Sequence, residues 1–330
     1  MGDRPHGRLG RRGRKRVLLA VCLYEGNFGD ILIHETVEER LKRAGFEVET
    51  VEVSEPLAVS SLVLRANASD FLYFVGGGII ERWAPEVIVR FPEVLGELTV
   101  PYGVVGLSTG EFDYQRLAPS LRAFADYATF FFTRDRESAE TFRLAGASRV
   151  PEPGVDVVFS RDPLSADPAG TRALISAGFR NVPYPDVSGE LDWASWSRRL
   201  KAVGTSVLME DCSAAQEQLG IPISRVGIVN TINLSRMVIA MRFHVVLMAA
   251  LLGVPTIPVA YCPKVSRLAD QLGLARFCLN IHDHHRLEET AGELERRSAE
   301  VSFTLRERVE ALRREARGIL DATVSAVQAA

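Results

Sequence analysis

"MVIAMRFHVVLMAALLGVPTIPVAY", residues Met237–Tyr261, is apolar almost throughout, with Arg242, His244 and Thr256 as its polar members. A charge buried without a partner costs several kcal/mol. An arginine and a histidine two positions apart in such a run therefore need an explanation. The stretch reads as a strand over Val238–His244, a helix over Val245–Leu252, a turn at Gly253-Val254-Pro255 and a second strand over Thr256–Tyr261. A further helix over Lys264–Leu272 is closed by Gly273. Short apolar strands separated by a helix are the mark of a parallel sheet covered on both faces. On a strand, residues two apart share a face, so Arg242 and His244 point one way and Met241 and Phe243 the other. If the strand ends near His244, both polar groups stand at its C-terminal edge, where open α/β sheets bind ligands. The following helix adds the positive end of its dipole. The other reading of the same residues is a buried arginine–carboxylate pair and a satisfied core histidine.

Similar features occur at other predicted strand ends. Lys264 follows the strand Thr256–Tyr261, and Arg180 ends the apolar run "ALISAGFR". Three cations at three strand ends suit a small polyanion, because guanidinium groups bind phosphate and carboxylate in two-pronged fashion. In the first half, "YEGNFGDILIHE" runs from a strand through Gly26-Asn27-Phe28-Gly29-Asp30 into a helix expected over Ile31–Ala44. Asp30 is either the N-cap of that helix or a site residue. "VGGGII", with Gly76, Gly77 and Gly78, is a second strand-to-helix glycine loop, suited to a phosphate or a sugar. Neither loop fits a P-loop or a dinucleotide fingerprint.

The alternation continues through the chain, which at 330 residues exceeds the size of one ordinary core. Residues 17–162 form a first Rossmann-like domain and 163–330 a second. The Pro-, Ser- and Asp-rich stretch 160–171 is the candidate boundary, and the charged last helix is expected to pack back on the first domain. Residues 1–16 carry seven Arg or Lys and one Asp, a net +6 against a formal −3 for the whole chain, so the remainder carries −9. That basic, Gly-rich tail reads as disordered and suited to peripheral contact with an anionic membrane surface; the acidic body argues against nucleic acid as the main partner. No uninterrupted apolar stretch reaches membrane-spanning length, and no signal peptide is evident, so a cytoplasmic, membrane-associated or free protein is expected. Cys22, Cys212, Cys262 and Cys278 are far apart, "HDHH" at 282–285 reads as a polar loop, and no metal or organic cofactor is expected.

Taken in order, "NFGDILI", "FLYFVGGGII", "YGVVGLSTG", "FTRDRESAETFRLAG", "PGVDVVF", "SAGFR", "AMRFHVVLMAALLGVPTIPVAY" and "PKVSRLADQLGL" resemble the polysaccharide pyruvyl transferase family. The resemblance runs from about Val17 to Gly273. It implies a GT-B-like architecture, two Rossmann-like domains whose parallel sheets face a cleft. It also implies transfer of pyruvate from phosphoenolpyruvate, a co-substrate, onto a hydroxyl pair of a sugar as a ketal, with release of phosphate. The acceptor class is a free sugar, a nucleotide sugar or a lipid-linked glycan, in polysaccharide or cell-envelope biosynthesis. Family active-site residues carry over to Arg180, Arg242 and His244. On this reading Arg180, Arg242 and Lys264 hold the donor, and Asn27, Gly29, Asp30 and Gly76–Gly78 lie on the acceptor side. In place of the family's Gly-Pro after the strand "YGVVGLSTG", this chain has Gly110-Glu111. The same architecture serves nucleotide-sugar glycosyltransferases, and a non-catalytic anion-binding protein is a further alternative.

Overall fold

The computed structural model describes residues 14–23, 28–53, 59–77, 80, 86–110, 114–162, 172–179, 191–209, 219–220, 223–224 and 227–330. The chain divides into two compact units, Met1–Val158 together with Ala316–Ala330, and Phe159–Glu315. The break falls one residue before the Pro- and Asp-rich stretch that begins at Ser160. Arg161 already belongs to the second unit, where its carbonyl accepts a hydrogen bond from Arg313 Nε at 3.3 Å. Residues 163–171 lie outside the described residues.

In the first unit, β1 (Arg16–Val21), β2 (Glu47–Glu52), β3 (Phe71–Val75), β4 (Tyr102–Leu107), β5 (Phe131–Thr133) and β6 (Glu152–Pro153) form one parallel sheet in the order β2-β1-β3-β4-β5-β6. Every residue of β3 and β4 is buried, as befits strands covered on both faces. One face carries an aromatic core in which Phe91 meets Phe124 edge-on at 4.6 Å and Phe131 meets Phe142 at 4.8 Å. Tyr73 donates its hydroxyl proton to Thr323 Oγ1 at 2.8 Å, on the C-terminal part of helix Ser298–Ala329. Burial pushes the Tyr73 phenol pKa well above its ordinary range.

The end of the basic tail belongs to this unit. Arg16 opens β1, and Lys15 Nζ donates to the carbonyls of Val327 at 3.2 Å and Gln328 at 2.9 Å. A cation on the last carbonyls of a helix complements its dipole. These two residues, read from sequence as part of a disordered tail, are therefore fixed by pairing and capping, whereas residues 1–13 lie outside the described residues.

The second unit holds β7 (Leu174–Gly178), β8 (Val207–Met209), β9 (Ile223–Ser224), β10 (Ser235–Ala240), β11 (Thr256–Ala260) and β12 (Leu279–Asn280), all parallel, in the order β12-β11-β10-β7-β8-β9. The chain steps outward from β7 to β9, returns to β10 beside β7, and steps outward the other way. Right-handed crossovers then place the connecting helices on opposite faces. Helices Trp193–Ala202 and Leu287–Arg296 pack together on one face, and Ile228–Asn233, Phe243–Leu251 and Pro263–Gln271 form the other layer. The strand order reverses between β7 and β10, as it does between β1 and β3 in the first unit. At such a reversal the loops leave in opposite directions and open a crevice. Among the described residues, no helix is long and apolar enough to cross a membrane.

Candidate active site

The reversal in the second unit is where Arg242 and His244 stand, though not as a shared strand face. β10 ends at Ala240, the Met241 N–H still donates to Gly178 O on β7 at 2.9 Å, and the chain then turns into helix Phe243–Leu251. The Arg242 carbonyl accepts from Val245 N and Val246 N at 3.1 Å each, so Arg242 is the N-cap and His244 lies in the first turn. The expectation of a strand through His244 fails because an all-apolar run does not distinguish strand from buried helix. The consequence is chemical. Arg242, part-exposed with an extended ψ of 124°, and His244, part-exposed with its ring 5.1 Å from that of Phe243, are gathered at one helix N-terminus. The rest of that helix, Val245 to Leu251, is buried. Gly178 makes the close seating possible, since a Cβ there would stand 3.0 Å from Val245 Cγ1.

On the neighbouring strand, β11 ends at Ala260 and Cys262 is the N-cap of helix Pro263–Gln271. Lys264 is its second residue, not its first, and Lys264 Nζ sits 6.0 Å from the centroid of the Tyr261 ring, the outer limit of a cation–π contact. Arg180 lies outside the described residues. The residue before it, Phe179, is fully buried, its ring 5.4 Å from Trp193 and 5.5 Å from Trp196.

In the first unit, Asn27 and Gly78 lie outside the described residues. Helix Phe28–Arg43 begins earlier than Ile31, so Asp30 is its third residue and not its N-cap. Gly29 precedes it in the same buried turn. The Asp30 carboxylate is 8% exposed and reaches across the strand reversal: a Cβ on Gly77, just past β3, would lie 2.8 Å from Asp30 Oδ1. Burial, and after it the negative charges of Asp30 and Glu52, hold the Cys22 thiol at the end of β1 far above its ordinary pKa, so it stays protonated. Gly76 has a packing reason: a Cβ there would stand 2.2 Å from Leu107 N on β4. The Gly77 carbonyl accepts from Ser108 N at 2.9 Å, which binds the glycine loop to the end of β4.

Sequence reasoning passed over two features. Arg134, next after β5, is 4% exposed; its Nη2 donates to Ser108 Oγ at 2.6 Å and its Nη1 lies 3.5 Å from Asp156 Oδ2. The signal was present, since "FFTR" is a strand followed by arginine, like "AGFR". Trp193 at the rim of β7 had no sequence signal beyond its size. The "HDHH" segment is a tight turn after β12, in which Asp283 Oδ2 accepts from Asn280 N at 3.1 Å. Among the described residues no group of His, Cys, Asp or Glu has the geometry of a metal site.

The polysaccharide pyruvyl transferase family matches residues 27–263, a span that includes the reversal between β7 and β10. No curated protein matches the chain. Among solved structures, a UDP-N-acetylglucosamine 2-epimerase from Listeria monocytogenes is similar at a TM-score of 0.58 and 12% identity, over 96% of this chain and 98% of that one. An α-glucosyltransferase in complex with UDP and a 13-mer DNA gives 0.55 and 12%, over 96% and 100%. The spinosyn forosaminyltransferase gives 0.52 and 13%, over 95% and 100%. At such identity the likeness is one of fold, and it makes the two doubly wound units a GT-B-like pair.

Proposed function

The chain belongs to the polysaccharide pyruvyl transferase family, and from that premise we propose that it transfers pyruvate from phosphoenolpyruvate onto a hydroxyl pair of a sugar or glycan, as a ketal. The observation that carries the donor assignment is the start of helix Phe243–Leu251. A guanidinium on the N-cap, an imidazole in the first turn and the helix N–H groups converge at the strand reversal between β7 and β10. Phosphoenolpyruvate presents a phosphate and a carboxylate. Arg242 and the helix terminus take one, with Arg180 and Lys264 as the further cations. Asp30 and the loop around Gly77, with Asn27, Gly29, Gly76 and Gly78, are assigned to the acceptor.

In the reaction, protonated His244 delivers its N–H proton to C3, turning the methylene into a methyl group and leaving oxocarbenium character at C2. The first hydroxyl oxygen bonds to C2 and its proton returns to the imidazole. The bond from C2 to the bridging phosphate oxygen breaks, the second hydroxyl oxygen closes the ketal, and its proton goes to the departing phosphate. Of the two hydroxyl protons, one ends on C3 and one on phosphate, so no oxidant or reductant is needed. Arg242 and Arg180 stabilise the charge that gathers on phosphate as it leaves.

The test is calorimetry of the full chain with phosphoenolpyruvate and with UDP, followed by turnover with free, UDP-linked and lipid-linked sugars. Binding of phosphoenolpyruvate and acceptor-dependent release of inorganic phosphate are expected. UDP binding, with release of UDP from a UDP-sugar and no phosphate from phosphoenolpyruvate, would replace this reading with a glycosyltransferase. Basic residues among 1–16 are proposed to favour anionic membranes at about 1 kcal/mol each, which flotation with phosphatidylserine and with neutral vesicles checks.

A further inference from the structure

We infer that Trp193 is the aromatic wall of the donor crevice, an inference that rests on the donor assignment above. Helix Trp193–Ala202, which follows β7 in the chain, lies in one helix layer, and helix Phe243–Leu251, which follows β10, lies in the other. What lies between them is bounded on one side by Arg242, Phe243 and His244, and on the other by the first residue of helix Trp193–Ala202. Trp193 is that residue. Its ring packs on Phe179 at 5.4 Å and an interplanar angle of 59°, and Phe179 is the residue that follows β7 and precedes Arg180.

Trp196, one turn further on, shows what a structural tryptophan looks like in the same helix. It is fully buried and donates Nε1–H to Ile281 O at 2.7 Å. Trp193 is part-exposed at the rim, beside a Phe179 that already closes the core. A large ring left part-exposed where the sheet opens is more than the core requires.

Phosphoenolpyruvate has anionic ends and a flat, apolar C2=C3 unit. Cations recognise the ends. An indole face recognises the middle, and it keeps water from an oxocarbenium-like C2 that must be attacked by a sugar hydroxyl and not by water. Trp193 is thus a positioning and water-excluding residue opposite His244, with no proton to give or take.

The chain has three tryptophans, Trp83, Trp193 and Trp196, so the test is optical. Phosphoenolpyruvate is titrated into the full chain and into Trp83→Phe, Trp193→Phe and Trp196→Phe, with tryptophan emission and calorimetry followed on the same preparations. A saturable emission change is expected in the parent, Trp83→Phe and Trp196→Phe, and its loss in Trp193→Phe, which keeps most of the affinity. Trp193→Ala should bind phosphoenolpyruvate about threefold to tenfold more weakly. If calorimetry finds normal phosphoenolpyruvate binding and the emission change persists in Trp193→Phe or is absent from the parent, the wall is overturned while the donor assignment stands. Unchanged affinity in Trp193→Ala overturns it as well. If the parent gives no heat with phosphoenolpyruvate, the donor assignment itself falls, and the wall with it. Should Trp193→Ala unfold, the emission of the Trp193→Phe variant still decides.

Discussion

In each unit an arginine follows a buried strand, and the two side chains end in opposite environments. Arg134, after β5, is 4% exposed and locked between Ser108 and Asp156. Arg242, after β10, is part-exposed at a helix N-terminus. The local sequence pattern is the same, and the difference lies in the place of the strand in the sheet. β5 stands between β4 and β6, within a run of strands added in one direction, and Arg134 there ties Ser108 after β4 to Asp156 after β6. β10 stands beside β7, where the strand order reverses, the place at which doubly wound sheets open a crevice. The arginine that ties loops together and the arginine that can meet a ligand are distinguished by topology, which no short stretch of sequence contains.

The largest effect expected on the ligand side belongs to His244. His244→Gln should lower kcat by about 10²–10⁴-fold, because proton delivery to carbon is lost while the ring's volume is roughly kept. Affinity for phosphoenolpyruvate should change far less, and the melting temperature should stay near the parent's. Unfolding, calorimetry and phosphate release measured on one preparation decide the matter. A melting temperature that falls sharply with kcat per folded molecule intact would place His244 with Arg134, among the structural ties.

Arg134→Ala should be the counterpart in stability. It removes the guanidinium beside the Asp156 carboxylate, which is 2% exposed, and breaking one side of a buried pair costs about 3–5 kcal/mol. Denaturant unfolding reads the loss, and whatever protein remains folded should bind phosphoenolpyruvate as the parent does. Arg242→Ala should give the reverse pattern, losing one charge-assisted contact worth about 1.5–3 kcal/mol of donor affinity, with a near-parent unfolding midpoint. If both variants lose stability, or both lose affinity, the distinction drawn from sheet order is wrong.

Much of this is legible in the sequence. Uniformly apolar strands between amphipathic helices declared parallel sheets, and the ordered set of soft motifs declared the family. What the sequence obscured has identifiable causes. "AMRFHVV" is apolar enough to be strand or helix, so its pattern puts the start of the helix two residues late, and with it the relation of Arg242 to His244. Of the two readings of Asp30, the cap fails because Phe28 and Gly29 belong to the helix, not to the loop before it. Gly76 stands in the glycine loop and also meets a long-range packing demand that only the sheet order reveals, since Leu107 N would stand 2.2 Å from its Cβ. Two-residue strands such as Glu152–Pro153 and Leu279–Asn280 are too short to carry any periodicity.

The smallest effect expected tests how the donor site is seated. Gly178 ends β7, and an added Cβ would meet Val245 Cγ1 at 3.0 Å and Val245 Cβ at 3.4 Å. Val245 is fully buried in the first turn of the helix that carries Arg242 and His244. Gly178→Ala must therefore push that turn outward by a few tenths of an ångström or force a new Val245 rotamer, a mild overpacking of about 1–3 kcal/mol. Arg242 and His244 would move with it, so donor affinity should fall several-fold by calorimetry although no ligand-contacting side chain has changed. Val245→Ala removes the methyl groups that clash. It is destabilising by itself, because it opens a void, but in combination it should recover part of what Gly178→Ala loses in both stability and affinity. Residues in contact couple by about 0.5–3 kcal/mol in such a cycle, and independent ones add. Strict additivity of the two substitutions would mean that the Gly178–Val245 contact does not set the position of the helix start. The Met241–Gly178 hydrogen bond would then be among the contacts left to set the position of Arg242.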